Sequence, residues 1–322
     1  MKIDLTIHSF SLTQHFRHSP GFDADAYIDL ALAHRLQGIS LSLNDANFRH
    51  LGGREPERMD RLRQRLERDG MTLEVDTSGT EPDHLRRMIA VAERVGAGSL
   101  RTYTRHPGTP AQMASATARD LAAVMPDAAK AGVVLVLENH EDFTGPELAG
   151  IVGSIGHPNL RILYDYGNSQ MVLEDPEAAL AAVLPYVHSV HVKDHVMVRA
   201  EDAGALTVAG VPMGEGALPI RRLTETLLQQ GLRRLTFENV WAYSAPIRSG
   251  RTPLAGVTLG QGSFRWQQPP FDPWHLILDP SRFPPSDLVA MEKAALERGM
   301  AWFKNELLAL GCTGDWSPGQ AE

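Results

Sequence analysis

Residues 133–168 read VVLVLENHEDFTGPELAGIVGSIGHPNLRILYDYGN, and the fold is decided there. Val133–Glu138 is an apolar run that ends on an acid, Gly145–Ile155 is a helix candidate, and Leu160–Tyr164 is a second apolar run that leads into Asp165. Short runs rich in Val, Ile and Leu, without strict alternation, are what strands buried on both faces look like. Strand, helix and strand in that order make a βαβ unit with parallel strands.

The same unit repeats in both directions. The pattern predicts strands at Ile3–Ile7, Gly38–Leu43, Thr72–Val75, Ser99–Tyr103, Val187–Val192 and Leu235–Glu238 besides the two above. Helices are expected at Asp23–Arg35, Glu55–Asp69, Glu81–Val95, Pro110–Lys130, Asp175–Leu184, Leu218–Gln230 and Pro285–Leu310. Asp175-Pro176 is a helix start, and Gly70, Gly132 and Gly231 stand just past helix ends. Right-handed crossovers close eight such units into an α/β, (β/α)8 TIM barrel. An open doubly wound sheet often carries a Gly-rich phosphate loop after its first strand, where this chain has HSFSL at 8–12.

The 322 residues are read as one barrel domain over 1–311, followed by a frayed tail at 312–322. One segment breaks the rhythm: residues 240–283 form a long insertion between the eighth strand and the last helix, with aromatics but no periodicity. A loop of that length in a compact domain is functional or disordered, and its Phe264, Trp266, Phe271 and Trp274 argue against disorder. It is expected to cover the mouth or to form a subunit contact. Lys and Arg number 31 against 39 Asp and Glu, a net charge of −8, which opposes a phosphate-gripping nucleic-acid binder. The single cysteine excludes an intramolecular disulfide and fits a reducing compartment. With no apolar run of about 20 residues and no signal-peptide pattern, a cytoplasmic protein is expected, with no membrane partner.

In such barrels the chemistry sits at the C-terminal ends of the strands. Four consecutive strands carry a metal-ligating side chain there: Glu138, Asp165, His191 and Glu238, separated by 27, 26 and 47 residues. Three carboxylates and one imidazole suit one divalent ion, with Mn²⁺ first and Mg²⁺, Co²⁺ or Zn²⁺ as alternatives.

The motifs LENH, YDYGN, HVKD and FENV, with VPMGEG before the seventh helix, resemble the sugar phosphate isomerase/epimerase family of xylose-isomerase-like barrels over most of residues 1–241. The resemblance implies a barrel, one divalent ion, and chemistry at a carbon next to a carbonyl of a small sugar or glycoside. It assigns proton transfer to Glu138 and Glu238. Ketose 3-epimerases of the family carry a His three residues after the metal Asp and an Arg six residues after the metal His. Here those places hold Asn168 and Met197, which puts a free-ketose epimerase in doubt. Asn168 can still hydrogen-bond a sugar hydroxyl. The family also contains apurinic-site endonucleases, against which Asn168 and the net charge both count.

Three outcomes follow from one enolisation: epimerisation, aldose–ketose isomerisation, or β-elimination from a 3-oxo-sugar or 3-oxo-glycoside. Isomerase or epimerase is the first reading and lyase the alternative. The lyase branch resembles 3-oxo-glycoside and C-glycoside deglycosidase subunits, which work with a small partner. A homo-oligomer or a complex with a small second subunit is expected. His140 is a candidate separate base, or a solvated loop residue paired with Glu141 or Asp142. His8 ends the first strand and is a candidate substrate contact or a satisfied polar residue. Lys193 alternates with His191 and either binds a sugar hydroxyl or balances the three acids. Trp241 is an apolar wall for the sugar or part of the core.

Overall fold

The computed structural model describes residues 1–199, 206–248 and 250–317. Its strands are β1 (Asp4–His8), β2 (Gly38–Ser42), β3 (Thr72–Asp76), β4 (Ser99–Thr102), β5 (Val134–Glu138), β6 (Leu160–Asp165), β7 (Val187–Val192), β8 (Asp194–Arg199), β9 (Leu206–Val211), β10 (Arg234–Phe237) and β11 (Ser244–Pro246). Eight of them close a parallel barrel in the order β1-β10-β7-β6-β5-β4-β3-β2. The helices are α1 (Thr13–His18), α2 (Ala24–Ala33), α3 (Pro56–Arg68), α4 (Pro82–Val95), α5 (Pro110–Ala131), α6 (Gly145–Ile155), α7 (Pro176–Val183), α8 (Ile220–Gln229) and α9 (Pro285–Ala309).

Local chemistry places the boundaries. Thr109 and Gln112 cap α5 reciprocally, and Thr144 and Glu147 do the same for α6. The core lies between strands and helices, where Leu5, Ile7, Leu41, Leu135, Leu137, Ile162, Leu235 and Phe237 are buried. Register slips between Ile162 and Leu163, so β7 gains a residue against β6 and Asp165 comes level with His191. Such irregularities re-aim side chains beside active sites.

The segment expected to be structureless contributes to a roof. β8, β9 and β11 form an antiparallel sheet above the barrel mouth, and only Lys193 separates β7 from β8. Residues 240–283 pack over it: Phe264 against Met171, Leu173, Met197 and Val208, and Leu276 against Val196, Val198, Ala209 and Val211. Gly210 permits the crossing, since a Cβ there would lie 1.9 Å from the Val240 carbonyl oxygen.

The chain after Gly311 is not frayed as far as residue 317. Ile3 and Thr313 share a backbone hydrogen bond, and the buried Trp316 donates its indole N–H to the Ile3 carbonyl at 2.9 Å. An amphipathic indole with a satisfied N–H is suited to sealing the base of a barrel. Residues 318–322 of the expected tail lie outside the described residues. No helix among the described residues is long and apolar enough to cross a membrane.

Candidate active site

Glu138 closes β5, Asp165 closes β6, His191 lies in β7, and Glu238 directly follows β10; all four are buried. His191 Nδ1 is 3.7 Å from Glu138 Oε1, 3.8 Å from Asp165 Oδ2 and 4.0 Å from Glu238 Oε2. The four sequence-predicted ligands therefore meet around one nitrogen. Each glutamate is followed by an asparagine that pins the lip. Asn139 accepts from the Asp165 N–H at 2.6 Å and donates to its carbonyl at 2.9 Å. Asn239 donates its side-chain amide to the Ser11 carbonyl, and its backbone N–H to Ser11 Oγ.

The donor set fits a divalent ion. Both ring nitrogens of His191 are buried without a hydrogen-bond partner among the described residues, and such groups are rare unless something else satisfies them. Ligand atoms around one ion at about 2.1 Å stand roughly 3–4 Å apart, close to the spacing seen from His191 Nδ1. Ligand atoms of Glu138, Asp165 and His191 lie within 4.8 Å of one another, as do those of His8, His191 and Glu238. Burial, helped by Asp165 and Glu238, pushes the Glu138 carboxyl up to about 7 against the pull of Arg101. Burial likewise takes Asp165 up to about 6. Burial would raise Glu238 too, but Lys193, His191 and His8 hold it well below the usual carboxylate range. The protein's own groups thus include one glutamate ready to take a proton near neutrality and one held as a carboxylate.

Asp76 and Arg101, which the sequence did not single out, complete the floor together with His8. His8 places Nε2 2.8 Å from Asp76 Oδ1 and Nδ1 2.9 Å from Glu238 Oε1. A carboxylate lies at each nitrogen, and the Phe10 N–H also points at Nδ1 at 3.4 Å; burial disfavours the imidazolium, but Asp76 and Glu238 raise His8 to about 9. Asp76 also accepts from Arg101 at 3.3 Å, and Arg101 Nε reaches 3.5 Å from Glu138 Oε2. An ionic chain, Glu238–His8–Asp76–Arg101–Glu138, joins the two glutamates beneath the mouth.

Above them is a cavity of about 170 Å³ lined by His8, Arg101, Glu138, His140, Lys193 and Glu238, with Asn168, Phe10, Tyr103 and Tyr243 among its other walls. His140 does not pair with an acid: its Nδ1 is 4.0 Å from Glu141 Oε1 and unpartnered. Its ring stacks on Tyr103 with centroids 3.7 Å apart and planes 10° apart. Burial, then the Arg101 and Lys193 cations, hold it well below the ordinary imidazole range, as a neutral base. Lys193 Nζ lies 2.8 Å from Asp165 Oδ2 and 3.3 Å from Glu238 Oε2, which is the balancing role. Trp241 is buried and does not line this cavity. It packs with Ile277, Leu288, Met291 and Ala295, and its N–H is used by the Pro273 carbonyl at 2.9 Å. Ala242 takes φ +66°, turning the chain so that Tyr243 rather than Trp241 lines the cavity.

A parallel eight-stranded barrel gathers three acids and an imidazole at its C-terminal lip, the end where such barrels carry their active sites. The chain belongs to the Xylose isomerase-like TIM barrel family, whose model matches residues 28–249. It is similar to the uncharacterized protein YihM of Escherichia coli strain K12, at 26% identity over 229 residues, 71% of this chain and 69% of that protein. It is also similar to 3-oxo-isoapionate decarboxylase of Pectobacterium atrosepticum, at 29% identity over 172 residues. That match spans 53% of this chain and 62% of the decarboxylase, less than two thirds of the relative's length. Among solved structures, a D-psicose 3-epimerase in the presence of D-fructose shares the fold with a TM-score of 0.62, 12% identity, and coverage of 96% of this chain and 100% of that one. An IolI protein with a bound zinc atom gives 0.62 at 12% identity, covering 91% and 96%.

Proposed function

We propose that the protein is a divalent-metal-dependent isomerase or epimerase that removes a proton next to the carbonyl of a sugar or keto-sugar. The observation that carries this reading is the meeting of Glu138, Asp165 and Glu238 around His191 Nδ1, under a cavity onto which both glutamates open. Those four residues would hold the ion, Mn²⁺ in this reading, with Mg²⁺, Co²⁺ and Zn²⁺ suited to the same donors. When bound, the ion supplies Lewis acidity that offsets charge developing on a carbonyl oxygen. Glu138, raised by burial, takes the proton from the adjacent carbon. Glu238, steadied by His8, serves the opposite face of the sugar. Delivery of a solvent-derived proton to the same carbon through Glu238 on the other face, with the abstracted proton released from Glu138 to solvent, gives epimerisation; return of the proton from Glu138 to the neighbouring carbon gives isomerisation. Asn168 holds a hydroxyl, while Phe10 and Tyr243 keep water from the enolised intermediate. The sugar epimerase with the same fold agrees with this chemistry.

A specific observation favours a second reading, a lyase. His140 is a neutral imidazole fixed on Tyr103 at the cavity wall, a base independent of the ligand set, and one relative is a decarboxylase of a 3-oxo acid. In both readings the partner is a small sugar or glycoside, in the cytoplasm, and the assembly is a homo-oligomer or a complex with a small second subunit. Incubating Mn²⁺-loaded protein in D₂O with ketoses and 3-oxo-glycosides, followed by NMR, tests the proposal. Deuterium entering next to the carbonyl with the carbon skeleton intact supports the first reading; loss of a substituent or CO₂ supports the second; no exchange with any substrate refutes enolisation.

A further inference from the structure

Lys193 stands where a ligated ion would need room. Its ammonium contacts Asp165 Oδ2 and Glu238 Oε2, the two oxygens that also face His191 Nδ1 at 3.8 and 4.0 Å. Oxygens that bind a divalent ion approach it to about 2.1 Å. An ammonium at 2.8 and 3.3 Å from the same oxygens would then face a double positive charge at close range, in a setting where Coulomb repulsion is little screened. The surroundings offer a second place for it. Gly167 lets the lysine stem and the His195 ring close on the same stretch of backbone: a Cβ there would lie 3.1 Å from Lys193 Cε and 2.5 Å from His195 Nδ1. His195 is fully buried, with no side-chain partner for either ring nitrogen among the described residues, and its neutral ring, packed on the same Gly167 backbone as the lysine stem, carries one acceptor nitrogen. Lys193 and Asn168 also both line the cavity.

We propose that Lys193 is an exchangeable internal counter-ion: it neutralises Asp165 and Glu238 in the metal-free protein, yields both carboxylates when a divalent ion binds, and turns its ammonium to His195 and the cavity, where it holds an anionic oxygen of the substrate. The inference rests on the proposed metal site and adds an order of events to it. It also explains how the Asp165 and Glu238 carboxylates are tolerated before the ion arrives, since buried charges need partners.

The experiment compares metal-stripped wild type, Lys193→Met and Lys193→Arg by competition for Mn²⁺ with a fluorescent chelator and by thermal melting with and without Mn²⁺. Lys193→Met is expected to bind Mn²⁺ at least about tenfold more tightly, because no cation must be displaced. Its metal-free form should melt lower than wild type, and Lys193→Arg should behave as wild type. In the unaltered protein, labelling of Lys193 by a small amine reagent, read by mass spectrometry, should rise when Mn²⁺ is added; this arm does not depend on either variant folding. Wild-type Mn²⁺ affinity and melting in Lys193→Met, or labelling that does not rise, overturns the exchange while leaving the metal site standing. Wild-type protein that takes up no divalent ion overturns both.

Discussion

Replacing Asp76 by Asn asks whether the ionic chain under the cavity acts as one unit. Asp76 is 1% exposed, and its Oδ1 accepts from His8 at 2.8 Å and from Arg101 at 3.3 Å. Asn has nearly the same shape and keeps one acceptor, so packing survives while the charge between two buried cations is lost. Removing one partner of a buried ion pair costs about 3–5 kcal/mol, and the surviving acceptor places the expectation near about 3 kcal/mol. At roughly 2–4 °C per kcal/mol for a large domain, the melting temperature should fall by about 6–12 °C. Burial alone would raise the Asp76 carboxyl, but Arg101 and His8 hold it well below the usual range. Its contribution is therefore complete above the unfolded pKa of about 3.9, and declines by about 1.4 kcal/mol per pH unit as the pH falls from there toward the lowered folded value. Urea unfolding followed by circular dichroism at a series of pH values should show a wild-type advantage that is full between about pH 6 and pH 5, narrows below that as Asp76 protonates, and shrinks above about pH 6.5 as the stability linked to the raised His8 is lost. A variant within about 1 kcal/mol of wild type in the window of full advantage, or a gap that widens on the acid side of it, refutes the reasoning.

His191→Ala removes the nitrogen around which the three acids meet and should leave the dialysed protein without stoichiometric metal by elemental analysis; a retained equivalent of ion would sink the ligand assignment. His140→Ala should keep its metal. If His140 is the base, deuterium exchange and turnover fall together by about 10²–10⁴-fold, whereas wild-type exchange with slowed product formation assigns it to the leaving group. Trp316→Ala empties the seal under the barrel and should lower unfolding stability by about 3–5 kcal/mol in denaturant titration; an unchanged midpoint would show that the seal is dispensable.

The barrel was legible because each strand is a short apolar run bounded by polar or turn-forming residues. Val187–Val192 and Gly145–Ile155 match the observed elements at both ends. The cluster of Glu138, Asp165, His191 and Glu238 was legible because each is a polar residue of a type that can ligate a metal, on or just after such a run. Asp76 ends β3 in the same way, and Arg101 lies inside β4. Arg101 in the run SLRT was the available signal, since a charge inside a buried strand needs a partner. The roof was hidden because DHVMVR follows β7 after one residue and reads as its continuation. Its partners are antiparallel and come from either side of β10, a pairing that no local pattern encodes. Trp241 looked like a sugar platform because it neighbours Glu238, yet the left-handed turn at Ala242 gives that place to Tyr243.

The eight-stranded ring closes without the three strands of the roof, which form a sheet of their own. Inheritance can therefore act on the two parts separately. Insertions, deletions and changes of residue in the roof alter the shape admitted to the mouth while the ring of acids, bound to the closure of the barrel itself, stays in register.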